Sequence, residues 1–467
     1  MNRLLISAAH KSSGKTTLAI GLCAALRRRG QTVQPFKKGP DFIDPMWLSL
    51  AAGRDCHNLD FFLMGREEII HTYSSHMDGA DIALIEGNKG LYDGLSLDGS
   101  NSNAALATLL RSPVVLVIDA RGMTRGIAPL ILGYQEFDKE IHIAGVILNQ
   151  LGGSRHEAKL RAVIEHYTDV PVIGAVHHDD RLTIVERHLG LMPSNEAVEA
   201  RDKIDAIASL VTDSVDLERL LAISAAPKLP PGKNRPLPVA AAPADVRIGI
   251  ARDAAFAFYY PGDLEALRAA GAELVPFNTL TDSSLPDVDA LIIGGGFPEI
   301  FMQQLEANQS LRRQIRQAID AGMPAYAECG GLMYLSRSLS WRGRRCEMAG
   351  VIEGDVVMHE RPKGRGYVVL RETGRGLWPA AEPGKPPAEI RAHEFHYSSL
   401  ENLATDTVFV YDVLRGTGID GRHDGIVHKN LFACYAHLRD LETNRWAARF
   451  VAFVRRQRGA LKQRLAH

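Results

Sequence analysis

Apolar residues in the first half of the chain fall in short, β-branched runs: LLIS near the start, DIALIE at 81–86, PVVLVIDA at 113–120, IAGVILN at 143–149 and PVIGAV at 171–176. The runs are apolar at consecutive rather than alternate positions and are separated by stretches of helical character, the pattern of a parallel sheet covered on both faces. Residues 225–245, AAPKLPPGKNRPLPVAAAPAD, interrupt it with six prolines and no apolar period, which predicts a stiff, extended linker. The alternation then resumes with VRIGIA at 246–251, a helix from about Pro261 to Ala270, ALIIGGG from Ala290, a helix around Leu311 to Ala321, and PAYAECGG. The expected fold is α/β throughout, with two α/β domains at 1–224 and 246–467.

Composition narrows the classes. The 467 residues carry 54 Lys+Arg against 55 Asp+Glu, a formal net charge of −1, so there is no global field for nucleic acid or an anionic membrane. No stretch approaches the ~20 apolar residues of a spanning helix, and the N-terminus lacks a signal-peptide pattern, so a cytoplasmic protein is expected. Five scattered cysteines without CxxC spacing argue against a disulfide framework and a zinc site.

Chemistry enters after the first strand. Ala9-His10-Lys11-Ser12-Ser13-Gly14-Lys15-Thr16-Thr17 matches GxxxxGK[ST] except that Ala9 replaces the first glycine, and a helix follows. Inward backbone N–H groups over Ser12, Ser13, Gly14 and Thr17, a lysine for the β/γ-phosphates and the Thr16 hydroxyl for Mg²⁺ make this a nucleotide site. The plainer alternative is a small-residue turn capped by Ser13. The acidic segments Lys37-Lys38-Gly39-Pro40-Asp41-Phe42-Ile43-Asp44 and Glu86-Gly87-Asn88-Lys89-Gly90-Leu91-Tyr92-Asp93 follow the second and third predicted strands, where carboxylates converge on the ligand crevice of a parallel sheet. Asp44 and Glu86 are the expected metal ligands beside Thr16, with Asp41 and Asp93 behind them; Asp93 before Gly94 also suits a plain turn.

In the second half, Glu328-Cys329-Gly330-Gly331 has the strand–turn–helix layout of a nucleophile elbow. Gly294-Gly295-Gly296 after the preceding strand offers free N–H groups for an oxyanion, and His437 in Cys434-Tyr435-Ala436-His437 could supply the base a thiol needs. His393 and His396 are rival bases. Cys346 and Cys434 lack the elbow and read as packing.

The motifs FKKGPDFIDP, EGNKGLYDG, ERHLGL, ARDAAFAFYYP, GGGFPE, AECGGLMYL, AHEFHYS and CYAH, in order along nearly the whole chain, resemble the cobyrinic acid a,c-diamide synthase family. The resemblance implies a P-loop synthetase domain of dethiobiotin-synthetase type fused to a class I, triad-type glutamine amidotransferase domain, with Cys329 as nucleophile and His437 as base, and Gly295 and Gly330 at the oxyanion. It implies ATP as co-substrate with Mg²⁺, L-glutamine as nitrogen donor, and acetate side chains of a tetrapyrrole polycarboxylate as acceptors. A homodimer remains open as its assembly. The chain departs from the family at the phosphate loop, at FKKGPD for FKVGPD and at EGNKGL for EGVMGL. Arg439 stands where relatives have a second histidine, and the acid usual after the base is missing, so the third triad member is unassigned. Lys11, Lys38 and Lys89 are basic where relatives are uncharged; Lys38, Asp41, Lys89 and Asp93 are accordingly the expected substrate residues. These lysines raise a second substrate reading, siroheme or another sirohydrochlorin-derived macrocycle. Readings from other classes are a P-loop regulatory ATPase and a pseudo-amidotransferase scaffold; the elbow at Cys329 opposes the first, and the presence of both Cys329 and His437 opposes the second.

Overall fold

The computed structural model describes residues 2–179, 184, 186–187, 190–194, 199–227, 229, 244–379 and 389–465. The chain forms two compact units, Met1–Leu237 and Pro238–His467. Most of the proline-rich segment expected as a linker lies outside the described residues.

The first unit is built on seven parallel strands in the order His57–Leu59, Val33–Lys38, Ile82–Glu86, Asn2–Ala8, Val114–Asp119, Ile143–Leu151, Val172–His177. Consecutive residues such as Leu4, Leu5 and Ile6, or Leu84 and Ile85, are fully buried, as expected for strands covered on both faces. His57–Leu59 was not expected: three residues, His-Asn-Leu, are too short and too polar to register as an apolar run. The Glu86 strand is therefore fourth in the chain, not third. Winding proceeds to one side of Asn2–Ala8 through the strands at 33–38 and 82–86 and to the other through 114–119. The loop after Asn2–Ala8 opens at this reversal, where parallel sheets bind ligands.

The second unit carries a nine-stranded mixed sheet. Its parallel part runs Ala272–Phe277, Val246–Ala251, Ala290–Ile293, Ala325–Glu328, Leu431–Cys434, and is extended by antiparallel strands His423–His428, Val408–Arg415, Gly364–Glu372 and Glu389–His396. A four-stranded sheet, Arg344–Glu347, Ser336–Trp341, Ile352–Met358, Ser398–Glu401, packs Leu339 and Val356 into a core shared with Cys329 and Leu332. The expected helices appear at Pro261–Ala269 and Gln309–Asp320. No described helix is long and apolar enough to cross a membrane.

Candidate functional site

In the first unit the helix Lys15–Arg28 starts directly after the loop, with Gly14 left-handed at φ 85°. A side chain at Gly14 would be strained at this positive φ, and its Cβ, 2.2 Å from Asn149 Nδ2, would displace the Asn149 amide from the loop. Ser13 does not cap the helix, as the plainer reading required. Its Oγ donates to His10 O at 2.8 Å, while Asn149 Nδ2 donates to Ser13 O at 2.9 Å and ties the loop to the end of another strand. Asn149 also lines a cavity of about 160 Å³ with Gly14, Thr17, His177 and Val211 beside the phosphate loop.

Thr16, Asp44 and Glu86 meet at the strand ends. Thr16 Oγ1 donates to Glu86 Oε1 at 2.5 Å and lies 3.4 Å from Asp44 Oδ2. Glu86 is fully buried, and burial, only partly offset by Lys37, raises its pKa. A hydroxyl and two carboxylates are hard oxygen donors of the kind Mg²⁺ takes, so the donor set of Thr16, Asp44 and Glu86 fits such a cation. Sequence reasoning missed Lys37 as a functional residue. Its Nζ lies 2.5 Å from Asp44 Oδ2 and 3.1 Å from Glu86 Oε2; burial would depress its pKa, but the two carboxylates override this and raise it. The signal was present in FKKGPD, as the last inward position before the strand end.

The remaining expected residues separate. Asp41 accepts the N–H groups of Ile43 and Asp44 through Oδ1 and so caps the next helix, and burial with neighbouring Asp44 pushes its pKa up to about 7. Asp93 Oδ2 accepts the Gly90 N–H at 2.8 Å, which is a turn contact. Lys38 is the last residue of its strand rather than a loop residue; burial lowers its pKa to about 8, although Asp60 opposes this, and Lys89 lies within charge reach. Lys89 and Lys11 are exposed. Asn103, also missed, is buried and holds the 87–90 loop: its Oδ1 accepts Asn88 N–H, and its Nδ2 donates to the carbonyls of Asn88 and Gly90.

In the second unit Cys329 sits between the strand Ala325–Glu328 and the helix Gly330–Leu335 at φ 45°, ψ −99°, a positive-φ turn held by its N–H donating to Cys434 O at 2.7 Å. The glycines around it are sterically required. A Cβ on Gly331 would sit 2.0 Å from Ile293 O, and one on Gly295 would strike His437 Cε1 at 2.6 Å. Gly295 thus packs against the imidazole, while Gly296 brings its amide beside Gly330, where a Cβ would lie 3.0 Å from Gly296 N.

His437 is buried, and Cys329 and Glu328 are the groups that act on its imidazole. Burial opposes its protonation, but those two partners outweigh it and raise the pKa to about 10. Its Nδ1 is 3.4 Å from Glu328 Oε2. The rival bases are otherwise engaged. His393 stacks on His437 at 4.9 Å and lies 3.2 Å from the Tyr260 hydroxyl, and burial keeps its pKa well below the usual range. His396 stacks on Tyr435 at 3.9 Å, with Nδ1 2.8 Å from Ser398 O. Cys346 and Cys434 are buried. A larger cavity of about 930 Å³, lined by Arg312, Arg337 and Arg345, includes none of these groups.

A P-loop parallel-sheet unit in series with a unit carrying a cysteine elbow and a partnered histidine defines a class: a nucleotide-binding, glutamine-hydrolysing ligase. Residues 5–191 match the CobQ/CobB/MinD/ParA nucleotide binding domain family, and residues 247–444 the CobB/CobQ-like glutamine amidotransferase domain family. A cobyrinate a,c-diamide synthase of Magnetococcus marinus is 48% identical over 466 residues, covering 99% of this chain and 98% of that protein. Proteins of the same name from Methanosarcina acetivorans and Listeria innocua are 44% and 40% identical, covering 93% and 94% of this chain and 92% and 96% of theirs. The chain belongs to the cobyrinate a,c-diamide synthase family, as its motifs implied.

Proposed function

We propose that this enzyme amidates the a- and c-acetate side chains of cobyrinate, using ATP to activate each carboxylate and glutamine to supply nitrogen. The observation that carries the reading is the presence in one chain of both a P-loop with converging Thr16, Asp44 and Glu86 and a Cys329–His437 pair. A carboxylate is a poor acylating agent. Transfer of the γ-phosphoryl of ATP to it gives ADP and an acyl phosphate, and ammonia then displaces phosphate to leave the amide. Lys15 and the loop amides hold the phosphates, and the pocket beside Asn149 takes the base. Thr16, Asp44 and Glu86 would hold Mg²⁺, which would neutralise phosphate charge. Lys37 bridges the two carboxylates. Lys38 and Lys89, within charge reach of one another, face the polycarboxylate, while Asp41 and Asp93 shape the loops beside them through backbone N–H groups.

In the other unit Cys329 Sγ attacks the side-chain amide carbon of glutamine. Amide groups at Gly330 and in the short strand Gly295–Gly296 stabilise the oxyanion, and His437 returns a proton to nitrogen as the C–N bond breaks. Ammonia leaves, and water hydrolyses the thioester to glutamate. Five free, buried cysteines suit a reducing cytoplasm.

The test separates the two halves. Cys329→Ala is expected to abolish amidation from glutamine by several orders of magnitude while sparing amidation from ammonium, and Lys15→Ala to abolish both. Product mass reads the number of amides formed. Rescue of Lys15→Ala by ammonium would refute the activation step assigned to the first unit.

A further inference from the structure

Glutamine hydrolysis by a thiol–imidazole pair works best when a third group fixes the imidazole, and two residues after His437 the chain carries Arg439 rather than an acid. That guanidinium lies 5.1 Å over the Tyr260 ring and cannot accept a proton. We infer that Glu328, the residue immediately before the nucleophile, is the positioning acid of this glutaminase. The inference rests on the reading of Cys329 as the glutaminase nucleophile.

Strand register makes the arrangement workable. Glu328 pairs with Cys434 in the parallel ladder between Ala325–Glu328 and Leu431–Cys434. The chain leaving Cys434 therefore crosses the end of the Glu328 strand, and three residues on it delivers His437. On the far side, His437 N–H donates to His393 O at 2.8 Å, which clamps the backbone. Cys329 leaves the strand through its positive-φ turn, so adjacent residues, whose side chains would point to opposite faces in a continuing strand, both reach one imidazole.

The carboxylate is itself fixed. Oε1 accepts the Leu438 N–H at 2.8 Å and the hydroxyl of Tyr326, which lies two residues earlier on the same strand face. Oε2 remains for His437 Nδ1 at 3.4 Å. This leaves Nε2, across the ring, for the thiol. Sγ bonds the amide carbon, and the proton held at Nε2 goes to the departing nitrogen as the C–N bond breaks. Throughout, Glu328 keeps Nδ1 protonated and stabilises the imidazolium without itself changing protonation.

Glu328→Gln preserves the side chain's shape and an oxygen for Leu438 N–H but removes the charge. Its kcat for glutamine hydrolysis is expected to fall about 10²- to 10⁴-fold with KM for glutamine within about threefold of wild type. Glu328→Asp should recover part of the loss. Alkylation of Cys329 by iodoacetamide should slow at pH 6, with its pH profile displaced upward, because the imidazolium that accompanies the thiolate is less stable. Amidation supported by ammonium, which needs no glutaminase step, reports on folding. Wild-type kcat, or an undisplaced alkylation profile, in Glu328→Gln would overturn the assignment. So would equal loss of ammonium-supported and glutamine-supported amidation in both Glu328 variants, since that marks a purely structural residue. If Cys329→Ala kept glutamine-dependent amidation, the failure would lie in the nucleophile reading instead.

Discussion

Lys15 and Lys37 are both buried lysines beside the same carboxylates, yet their environments act in opposite directions. Burial lowers the pKa of Lys15 despite Glu86, so its charge is held at a cost, whereas Lys37 is raised because Asp44 and Glu86 overcome burial. Lys15→Met is therefore expected to leave unfolding stability unchanged or slightly higher while abolishing amidation from either nitrogen source. Lys37→Met strands the buried Glu86 and the half-buried Asp44, 3.1 and 2.5 Å from the lost ammonium, and is expected to cost about 3 kcal/mol as well as activity. Urea unfolding of the two variants decides the matter. Equal stabilities would show that Lys37 does not neutralise the cluster.

At the scale of elements, the turn that carries His437 depends on Asp424. This fully buried carboxylate accepts the N–H groups of Gly425 and Tyr435 through Oδ1 and of Ala436 through Oδ2, at 2.8 to 3.0 Å. Asp424→Ala leaves three buried amides without their acceptor, an expected loss of about 2–4 kcal/mol together with glutaminase activity. The same carboxylate gives a pH signature. Burial, opposed by its three amide donors, raises its pKa to about 6, above the ~3.9 of an unfolded aspartate. The folded state thus binds this proton more readily, so stability from this group rises as pH falls through about 6 and levels off near 4, and its cost is fully felt at neutral pH. Between pH 7 and pH 4.5 the unfolding stability of wild type is expected to improve relative to Asp424→Asn by about 2 kcal/mol. A gap that does not move with pH would exclude an ionised, buried Asp424.

At the scale of the molecule, a net charge of −1 supplies no long-range pull on a polycarboxylate, so attraction must be local. Lys38 and Lys89 are brought within charge reach of one another at the strand ends, while Lys11 is exposed on the phosphate loop. Offered cobyrinate and siroheme in competition with ATP and glutamine, the enzyme is expected to add two amides to cobyrinate. Lys38→Ala and Lys89→Ala are expected to raise KM for the tetrapyrrole about tenfold each, the worth of one charge-assisted contact. Preferential amidation of siroheme would move the enzyme to the other macrocycle; an unchanged KM would reduce the lysines to solvated surface charge.

The α/β alternation, the phosphate loop and the elbow at Cys329 were legible from local pattern, because strand burial, loop closure and a tight strand-to-helix turn each restrict residues close together in sequence. The strand His57–Leu59 was not, since three mostly polar residues become a strand only through pairing with Val33–Lys38. Asp41 and Asp93 matched the acidic pattern, but their oxygens are engaged by neighbouring backbone N–H groups, a competition visible only in the folded loops. Asn103, Asn149 and Glu328 lie in strands or at element ends, and their partners are separated in sequence, so composition and spacing carry no trace of the contacts. The chain's residues determined which chemistries were available, since those belong to side chains and short turns. Tertiary structure decided which carboxylate meets which cation and which acid faces His437, because those pairings depend on the register of strands distant in sequence.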